Sequence, residues 1–176
     1  MLEQGPEQAF AVWITGLPAS GKSTITGCLK NLLEEWGVDA AVLESDVLRK
    51  IFSKEPRYGE QDREAFYRSM VWIGVLLTRH GVPVIFDATA NRRVYRDEAR
   101  RQIPRFVEVY VDVPLKICIE RDPKGIYRSA TGDVPGLQAA YEPPENPDLV
   151  IDGLRESPSD AARRIVALLE DKHWLK

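Results

Sequence analysis

The amino-acid sequence predicts a three-layer α/β fold, with a mostly parallel five-stranded sheet covered by helices on both faces. Short apolar runs alternate with longer segments of helical periodicity, and this alternation is typical of parallel sheets with crossover helices. A glycine-rich loop and two aspartates follow directly after apolar runs. Since ligands of such sheets bind at the carboxyl ends of the strands, these residues are expected to line one edge.

The first part of the chain predicts two strands and two helices. Residues 10–15 (FAVWIT) form an apolar run that ends at a glycine, as expected for a buried strand. Residues 22–36 have a helical pattern and are followed by a glycine that would end the helix. Residues 40–43 predict a second strand and residues 46–52 a short helix.

The middle of the chain continues the alternation. Residues 61–80 predict a long helix because apolar residues recur at helical spacing. Residues 82–86 predict a third strand, with a proline tolerated near its start. Residues 92–102 predict a charged, exposed helix and residues 106–111 a fourth strand. Residues 114–121 predict a helix whose first position is proline.

Residues 122–147 break the pattern. This segment holds five prolines and three glycines and has no clean periodicity. Irregular segments of this length in a compact domain are usually functional lids or disordered, so we expect a lid here. After it, residues 149–151 predict a fifth strand and residues 159–169 an amphipathic helix.

The composition fits one soluble domain spanning residues 1–176. The chain has 176 residues, a net charge of −3, 44% hydrophobic residues and 29% charged residues. This length is enough to bury a sizeable core. The weakly acidic balance argues against a protein that coats nucleic acid polymers or an anionic membrane. No apolar run approaches the roughly 20 residues that a membrane span needs.

The two cysteines, Cys28 and Cys118, lie in apolar helical patterns without a CxxC or Cys/His set. Neither a disulfide framework nor a zinc site is expected. The amino terminus lacks the charged-then-apolar order of a signal peptide, and a reducing cytoplasm is the predicted location. The sequence does not set the oligomeric state, and a homodimer stays open.

The strongest motif lies between the first strand and the first helix. Residues 16–23 match the phosphate-binding pattern GxxxxGK[ST] in full. Glycines let backbone N–H groups wrap around phosphate, and the helix amino terminus adds a favourable dipole. Lys22 is expected to reach the β- and γ-phosphates of ATP, and the Ser23 hydroxyl to coordinate Mg²⁺. The residues expected to bind the nucleotide are Gly16, Ala19, Ser20, Gly21, Lys22, Ser23 and Thr24.

This motif predicts a P-loop NTPase, and within that class a small-molecule kinase. The Asn-Lys-x-Asp motif by which GTPases read guanine is absent, and so is an ABC-type signature. A short chain with a proline-rich lid favours a kinase. A nucleotide-binding regulatory domain without transfer activity is the alternative from another class.

Two aspartates that follow strands are candidates for the chemistry. Asp46 and Arg49 lie one helical turn apart, so their side chains would face the same side of the helix. The Asp46 carboxylate could then accept the proton of the acceptor hydroxyl, and the Arg49 guanidinium could bind an anionic acceptor. A helix cap with a surface ion pair explains them equally well. Asp87 ends an apolar run, where a carboxylate can hold Mg²⁺ through water, and a helix cap is the alternative there too.

Longer stretches carry a family resemblance. GLPASGKST at residues 16–24 is similar to GLSGAGKST, and LESDVLR at residues 43–49 is similar to L-D-G-D-x-x-R. Residues 106–128 (FVEVYVDVPLKICIERDPKGIYR) and residues 141–147 (YEPPENP) continue the match. From about residue 12 to residue 152 the chain resembles the adenylylsulfate kinase (APS kinase) family, which phosphorylates the 3′-hydroxyl of adenosine 5′-phosphosulfate.

The resemblance implies roles for individual residues. Asp46 would orient or deprotonate the acceptor hydroxyl, while Lys22 and Arg121 would neutralise the transferring phosphoryl group. Arg121 and Lys124 would belong to a lid that closes and excludes water. The residues implied to bind the acceptor are Asp46, Arg49, Tyr58, Arg63, Arg93, Lys124 and Leu137. Ser23 and Asp87 are the expected metal ligands.

Several positions depart from the family pattern. Phe66 stands where the family has an asparagine, although a phenylalanine at helical spacing also fits a core. Leu137 stands where a phenylalanine would stack on the acceptor adenine, a loss of about 0.5–1.5 kcal/mol of base binding. Asp87-Ala-Thr is more similar to polynucleotide-kinase-like enzymes. Adenosine 5′-phosphosulfate is the expected acceptor, and another nucleotide, nucleoside or phosphorylated alcohol is the alternative.

Overall fold

The computed structural model describes residues 8–55, 57–129 and 133–175. The strands are β1 Ala11–Thr15, β2 Ala41–Glu44, β3 Val84–Asp87, β4 Phe106–Asp112 and β5 Leu149–Asp152. The helices are α1 Lys22–Glu35, α2 Ser45–Phe52, α3 Glu60–Arg79, α4 Arg93–Gln102, α5 Leu115–Arg121 and α6 Pro158–Asp171. The strands form one sheet in the order β2-β3-β1-β4-β5, and every neighbouring pair is parallel. The predicted α/β fold is confirmed.

Strand β1 lies at the centre of the sheet and divides the core into two layers. Its side chains alternate between the faces, as the strand period of two requires. Val12 and Ile14 belong to the layer that includes buried residues of α1 and α6. Ala11 and Trp13 belong to the layer that includes buried residues of α3 and α4. Helices therefore cover both faces, and the carboxyl ends of the strands are left to form the site.

Helix α3 approaches the sheet closely at Gly74. A Cβ atom at this position would lie 2.2 Å from Cζ of Phe86 on β3. The Phe86 ring in turn stacks on Trp13, with ring centroids 4.5 Å apart. Glycine inside a helix costs about 1 kcal/mol relative to alanine. Here the missing side chain makes room for the aromatic pair beneath the helix.

The prediction that α4 is an exposed helix is wrong for one of its faces. Arg96 is 1% exposed, and its Nε donates to Glu108 Oε1 of β4 at 2.7 Å. The Arg96 guanidinium also donates to the carbonyl oxygens of Ala90 and Glu142. A buried charge is tolerated when it is paired and hydrogen-bonded in this way. Counting charges along the helix does not reveal such a partner.

The predicted lid holds no regular helix or strand among the described residues of 122–147. It is nevertheless tied to the rest of the domain, because Tyr127 Oη donates to the carbonyl oxygen of Pro18 at 2.9 Å. Cys28 and Cys118 are free thiols. In the described part of the chain no helix is both long and apolar enough to cross a membrane.

Candidate active site

The glycine-rich loop takes a backbone shape that needs small residues. Gly16 has φ of 155°, and a Cβ atom there would lie 2.7 Å from the carbonyl oxygen of Val111. Gly21 has φ of 102° and directly precedes the first residue of α1. Ala19 adopts φ of 62°, a left-handed conformation that alanine rarely takes. The loop therefore wraps tightly at the amino terminus of α1, where backbone N–H groups favour anions.

Lys22 is held inside this loop. The residue is 8% exposed, and its Nζ donates to the carbonyl oxygens of Gly16 at 3.1 Å and Leu17 at 2.9 Å. Burial lowers the pKa of Lys22, because it disfavours the ammonium form, while the carboxylates of Asp87 and Asp46 oppose that shift. The result is a buried cation between the loop and two carboxylates.

Asp87 ends β3 and faces the start of α1. It is 4% exposed, and burial raises the pKa of its carboxyl group. The Lys22 ammonium and a hydrogen bond from the Ser23 side chain act in the opposite direction. Within residues 8–55, 57–129 and 133–175 no group of three or more His, Cys, Asp or Glu side chains could hold a metal ion. Ser23 and Asp87 are thus neighbours, and among the described residues they do not belong to a cluster of metal-ligating side chains.

These residues line a cleft of about 480 Å³, which we name the nucleotide cleft. Ala19, Gly21, Ser23 and Thr24 contribute to its loop side, together with Lys22. On the other side lie Asp46, Asp87, Arg121 and Lys124. Gly16 and Ser20 belong to the same loop but do not line the cleft. The Ser20 hydroxyl is buried and has no hydrogen-bond partner among the described residues.

An ion pair joins the lid to α2. Lys124 Nζ lies 2.8 Å from Asp46 Oδ2 and 4.0 Å from Glu44 Oε1. The hydrogen bond to Asp46 is the main cause that raises the pKa of Lys124. Arg121 donates to the carbonyl oxygen of Gly153 at 3.1 Å, which holds this side chain at the rim of the same cleft.

A second cleft of about 290 Å³, which we name the acceptor cleft, adjoins the first. Arg49, Tyr58 and Arg63 line it, and Asp46 lies on the wall that the two clefts share. Arg49 and Arg63 are buried. Arg63 donates to the carbonyl oxygen of Asp133, so this arginine connects α3 to the lid.

Two residues implied by the family resemblance line neither cleft. Arg93 forms ion pairs with Glu145 and, more loosely, with Glu142 at 3.9 Å. Leu137 is 44% exposed and lies outside the lining of both clefts. In this conformation the structure does not bring these two side chains together with the other candidate residues.

Several residues that line the acceptor cleft were not predicted from the sequence, and three of them offer polar groups in the same lining as Asp46 and Arg49. Thr89 lines both clefts, and Asn91 and Tyr67 line the acceptor cleft. Asn91 Nδ2 donates to the carbonyl oxygen of Ala140, and Tyr67 Oη accepts from the backbone N–H of Ala90. The polar residues that directly follow Asp87 were a usable signal for Thr89 and Asn91. Tyr67 offered no signal that distinguished it from a core residue of α3.

Comparisons with known proteins show to which family this chain is similar. The family model for adenylylsulphate kinase matches residues 8–152. The adenylyl-sulfate kinase of Synechococcus sp. (strain JA-3-3Ab) is 36% identical over 173 residues, which cover 96% of this chain and 98% of that protein. The adenylyl-sulfate kinase of Rippkaea orientalis is 37% identical over 173 residues and covers 96% of each chain.

A solved structure gives the same result in three dimensions. The Mycobacterium tuberculosis APS kinase CysC in complex with AMPPNP and APS superimposes with a TM-score of 0.87 at 32% identity, covering 94% of this chain and 99% of that chain. The likeness therefore extends over nearly the whole chain rather than over one motif. On this evidence the chain belongs to the adenylylsulphate kinase family.

Proposed function

We propose that this protein transfers the γ-phosphoryl group of MgATP to the 3′-hydroxyl of adenosine 5′-phosphosulfate. One observation carries the proposal: Asp46 lies on the wall shared by the nucleotide cleft and the acceptor cleft. An acceptor hydroxyl in one cleft would meet the γ-phosphate of a nucleotide in the other at this carboxylate. The Mycobacterium tuberculosis relative, described with AMPPNP and APS together, supports this pair of ligands.

The nucleotide cleft suits a triphosphate. Residues 16–24 would surround the phosphates with backbone N–H groups, and Lys22 would exchange its two carbonyl partners for phosphate oxygens. Ser23 and Asp87 would hold Mg²⁺ together with phosphate oxygens, an arrangement that Mg²⁺ favours because it keeps few protein ligands. The ion would supply positive charge that offsets the charge of the phosphate groups.

The transfer step needs positioning and charge rather than a covalent intermediate. The acceptor oxygen forms a bond to the γ-phosphorus as the bond from that phosphorus to the oxygen shared with the β-phosphate breaks. Asp46 either accepts the hydroxyl proton as the new bond forms, or orients the hydroxyl while the proton passes to an oxygen of the transferred phosphoryl group. Lys22 and Arg121 neutralise the charge on the moving phosphoryl group. Lys124 would leave Asp46 for the same purpose once both ligands are bound.

The acceptor cleft suits an anionic nucleotide. Arg49 and Arg63 would bind the phosphosulfate by charge-assisted hydrogen bonds, and Tyr58, which is 48% exposed, offers a ring for stacking on the adenine. Arg93 and Leu137 would join only after a rearrangement, because Arg93 is paired with Glu145 and Leu137 lies outside the cleft lining.

The test is an ADP-release assay with MgATP and a panel of hydroxyl acceptors headed by adenosine 5′-phosphosulfate. Robust turnover with that compound, lost in Asp46→Asn, is the expected result. Asp97→Asn is the matched control, since Asp97 is an exposed carboxylate on α4 that lines neither cleft. Turnover with another hydroxyl compound alone would keep a kinase but overturn the acceptor. Nucleotide binding without turnover on any acceptor would favour a regulatory domain.

A further inference from the structure

Arg49 is a buried cation in an aromatic environment. The residue is 7% exposed, and its guanidinium carbon lies 3.9 Å from the ring centroid of Phe66, 5.0 Å from that of Tyr58 and 5.4 Å from that of Tyr67. Its one hydrogen bond within the described residues is a long one of 3.5 Å, from Nη1 to the carbonyl oxygen of Arg57. No carboxylate in the described ranges lies within ion-pair distance of this guanidinium. The charge is therefore stabilised by ring faces rather than by a counter-ion.

The three rings contact Arg49 from two different cavities. Tyr58 and Tyr67 line the acceptor cleft, and Phe66 does not. Phe66 lines a separate groove of about 820 Å³ on the outer side of α2 and α3, and Arg49 lines both cavities. Phe66 therefore supports the guanidinium from the side that an acceptor does not reach.

The Phe66 ring is itself held in place. It is 7% exposed, and it contacts Tyr67 edge-on with centroids 5.2 Å apart and Phe52 with centroids 5.9 Å apart. Aromatic pairs at these separations favour defined orientations. A ring fixed in this way can fix the plane of the guanidinium that lies against it.

We propose that Phe66 is a positioning residue that holds Arg49 ready for the anionic group of the acceptor. A carboxylate partner would stabilise a buried arginine too, but it would occupy the N–H donors and cancel the charge. A ring face compensates part of the desolvation and leaves the donors and the full charge for the ligand. The proposal rests on the proposed function, because it concerns how that acceptor is bound.

The chemistry of the side chain separates this role from direct binding. A phenyl ring offers neither a hydrogen-bond donor nor a charge, so it cannot bind a phosphate or sulfate itself. Its effect on an anionic acceptor has to pass through Arg49. That dependence gives the proposal a signature in a double-mutant cycle.

The experiment compares Phe66→Leu, which keeps apolar volume but removes the ring face, with Phe66→Tyr, which keeps the face. Phe66→Leu should raise the KM for adenosine 5′-phosphosulfate by about five- to tenfold and leave the KM for ATP within about twofold. Phe66→Tyr should stay within about threefold of the wild type for both substrates. The matched control is Trp72→Leu, which removes an exposed ring from the same helix that lies against Arg79 and lines neither cleft.

Arg49→Lys provides the second arm, because an ammonium lacks the planar face that stacks on the ring. In the Arg49→Lys background, Phe66→Leu should change the acceptor KM by less than about twofold. An undiminished effect in that background, or an equal rise in both KM values, would overturn the proposal. If Phe66→Leu does not fold, as judged by thermal unfolding, Phe66→Met replaces it. Wild-type protein that ignores adenosine 5′-phosphosulfate would instead contradict the proposed function.

Discussion

The two clefts that meet at Asp46 are built from different parts of the chain. On one side the nucleotide cleft is formed by the glycine-rich loop at the β1–α1 junction, with Lys22 tied to two carbonyl oxygens of its own loop. The acceptor cleft is formed by side chains from α2, α3 and the lid, with Arg49 against aromatic rings. Backbone groups are present whatever the side chains are, whereas a surface of side chains can be rebuilt by substitution. The glycine-rich loop follows the family pattern, whereas the departures fall at Phe66, which lies behind Arg49 of the acceptor cleft, and at Leu137 on the lid.

The largest expected effect is on kcat, and it distinguishes the nucleotide cleft from the acceptor cleft. Lys22→Met should lower kcat by about 10²–10³-fold, because it removes a cation from the site where phosphoryl charge develops. The KM for adenosine 5′-phosphosulfate should stay within about twofold, since Lys22 does not line the acceptor cleft. Steady-state kinetics measure both quantities. Lys30→Met, on the same helix but paired with Glu34, is the control and should behave as the wild type. A large change in acceptor KM would mean that the clefts are not independent.

Removing the ion pair between Lys124 of the lid and Asp46 should have a smaller effect. Lys124→Met is expected to lower kcat/KM by about tenfold, because one of several cations around the phosphoryl group is lost. Its effect on the free energy of unfolding should be below about 1 kcal/mol, since the pair with Asp46 is half exposed. Urea unfolding and initial rates together test this. A strong loss of stability with unchanged rates would make Lys124 a structural residue.

A still smaller effect is expected on how stability depends on pH, through Asp87 and Lys22 of the nucleotide cleft. Burial raises the pKa of Asp87, so the folded chain binds this proton more tightly than the unfolded chain, and the stabilisation is lost as pH rises through the folded-state pKa. Lys22→Met removes the cation that opposes the shift. Without nucleotide, the melting temperature of this variant should therefore fall more steeply than that of the wild type as the pH rises above the ordinary pKa of an aspartate.

The double variant Lys22→Met/Asp87→Asn is the control for that slope. With no carboxyl group to titrate, its melting temperature should follow the shallower pH dependence of the wild type or be flatter still. An equally steep decline in the double variant would assign the slope to another group.

The smallest expected effect is on the KM for the acceptor alone. Leu137→Phe should lower the KM for adenosine 5′-phosphosulfate by about threefold, because a ring opposite Tyr58 would add a second stacking face when the lid closes. The KM for ATP should not change. An unchanged acceptor KM would mean that residue 137 keeps the exposed position outside the cleft.

The fold and the glycine-rich loop could be predicted from the sequence because each depends on local patterns. Strand runs, helical periodicity and the residues 16–23 motif are all read within short windows, and the fold and family are confirmed. Tyr67 and the buried Arg96 were not predicted, since their roles depend on partners on other elements, such as Glu108 for Arg96. The individual catalytic and binding roles stay predictions. Arg93 shows why: its sequence position matches a family arginine, but in the structure its guanidinium is paired with Glu145.

Gly74 connects the acceptor cleft to the centre of the molecule. Helix α3 carries Arg63, Phe66 and Tyr67, and its distance from the sheet is fixed where Gly74 rests over Phe86. A larger residue at position 74 would push the helix outward and carry those side chains with it. Evolution of acceptor preference can therefore act through a residue that never meets the substrate. A directed-evolution library confined to the walls of the cleft would miss it.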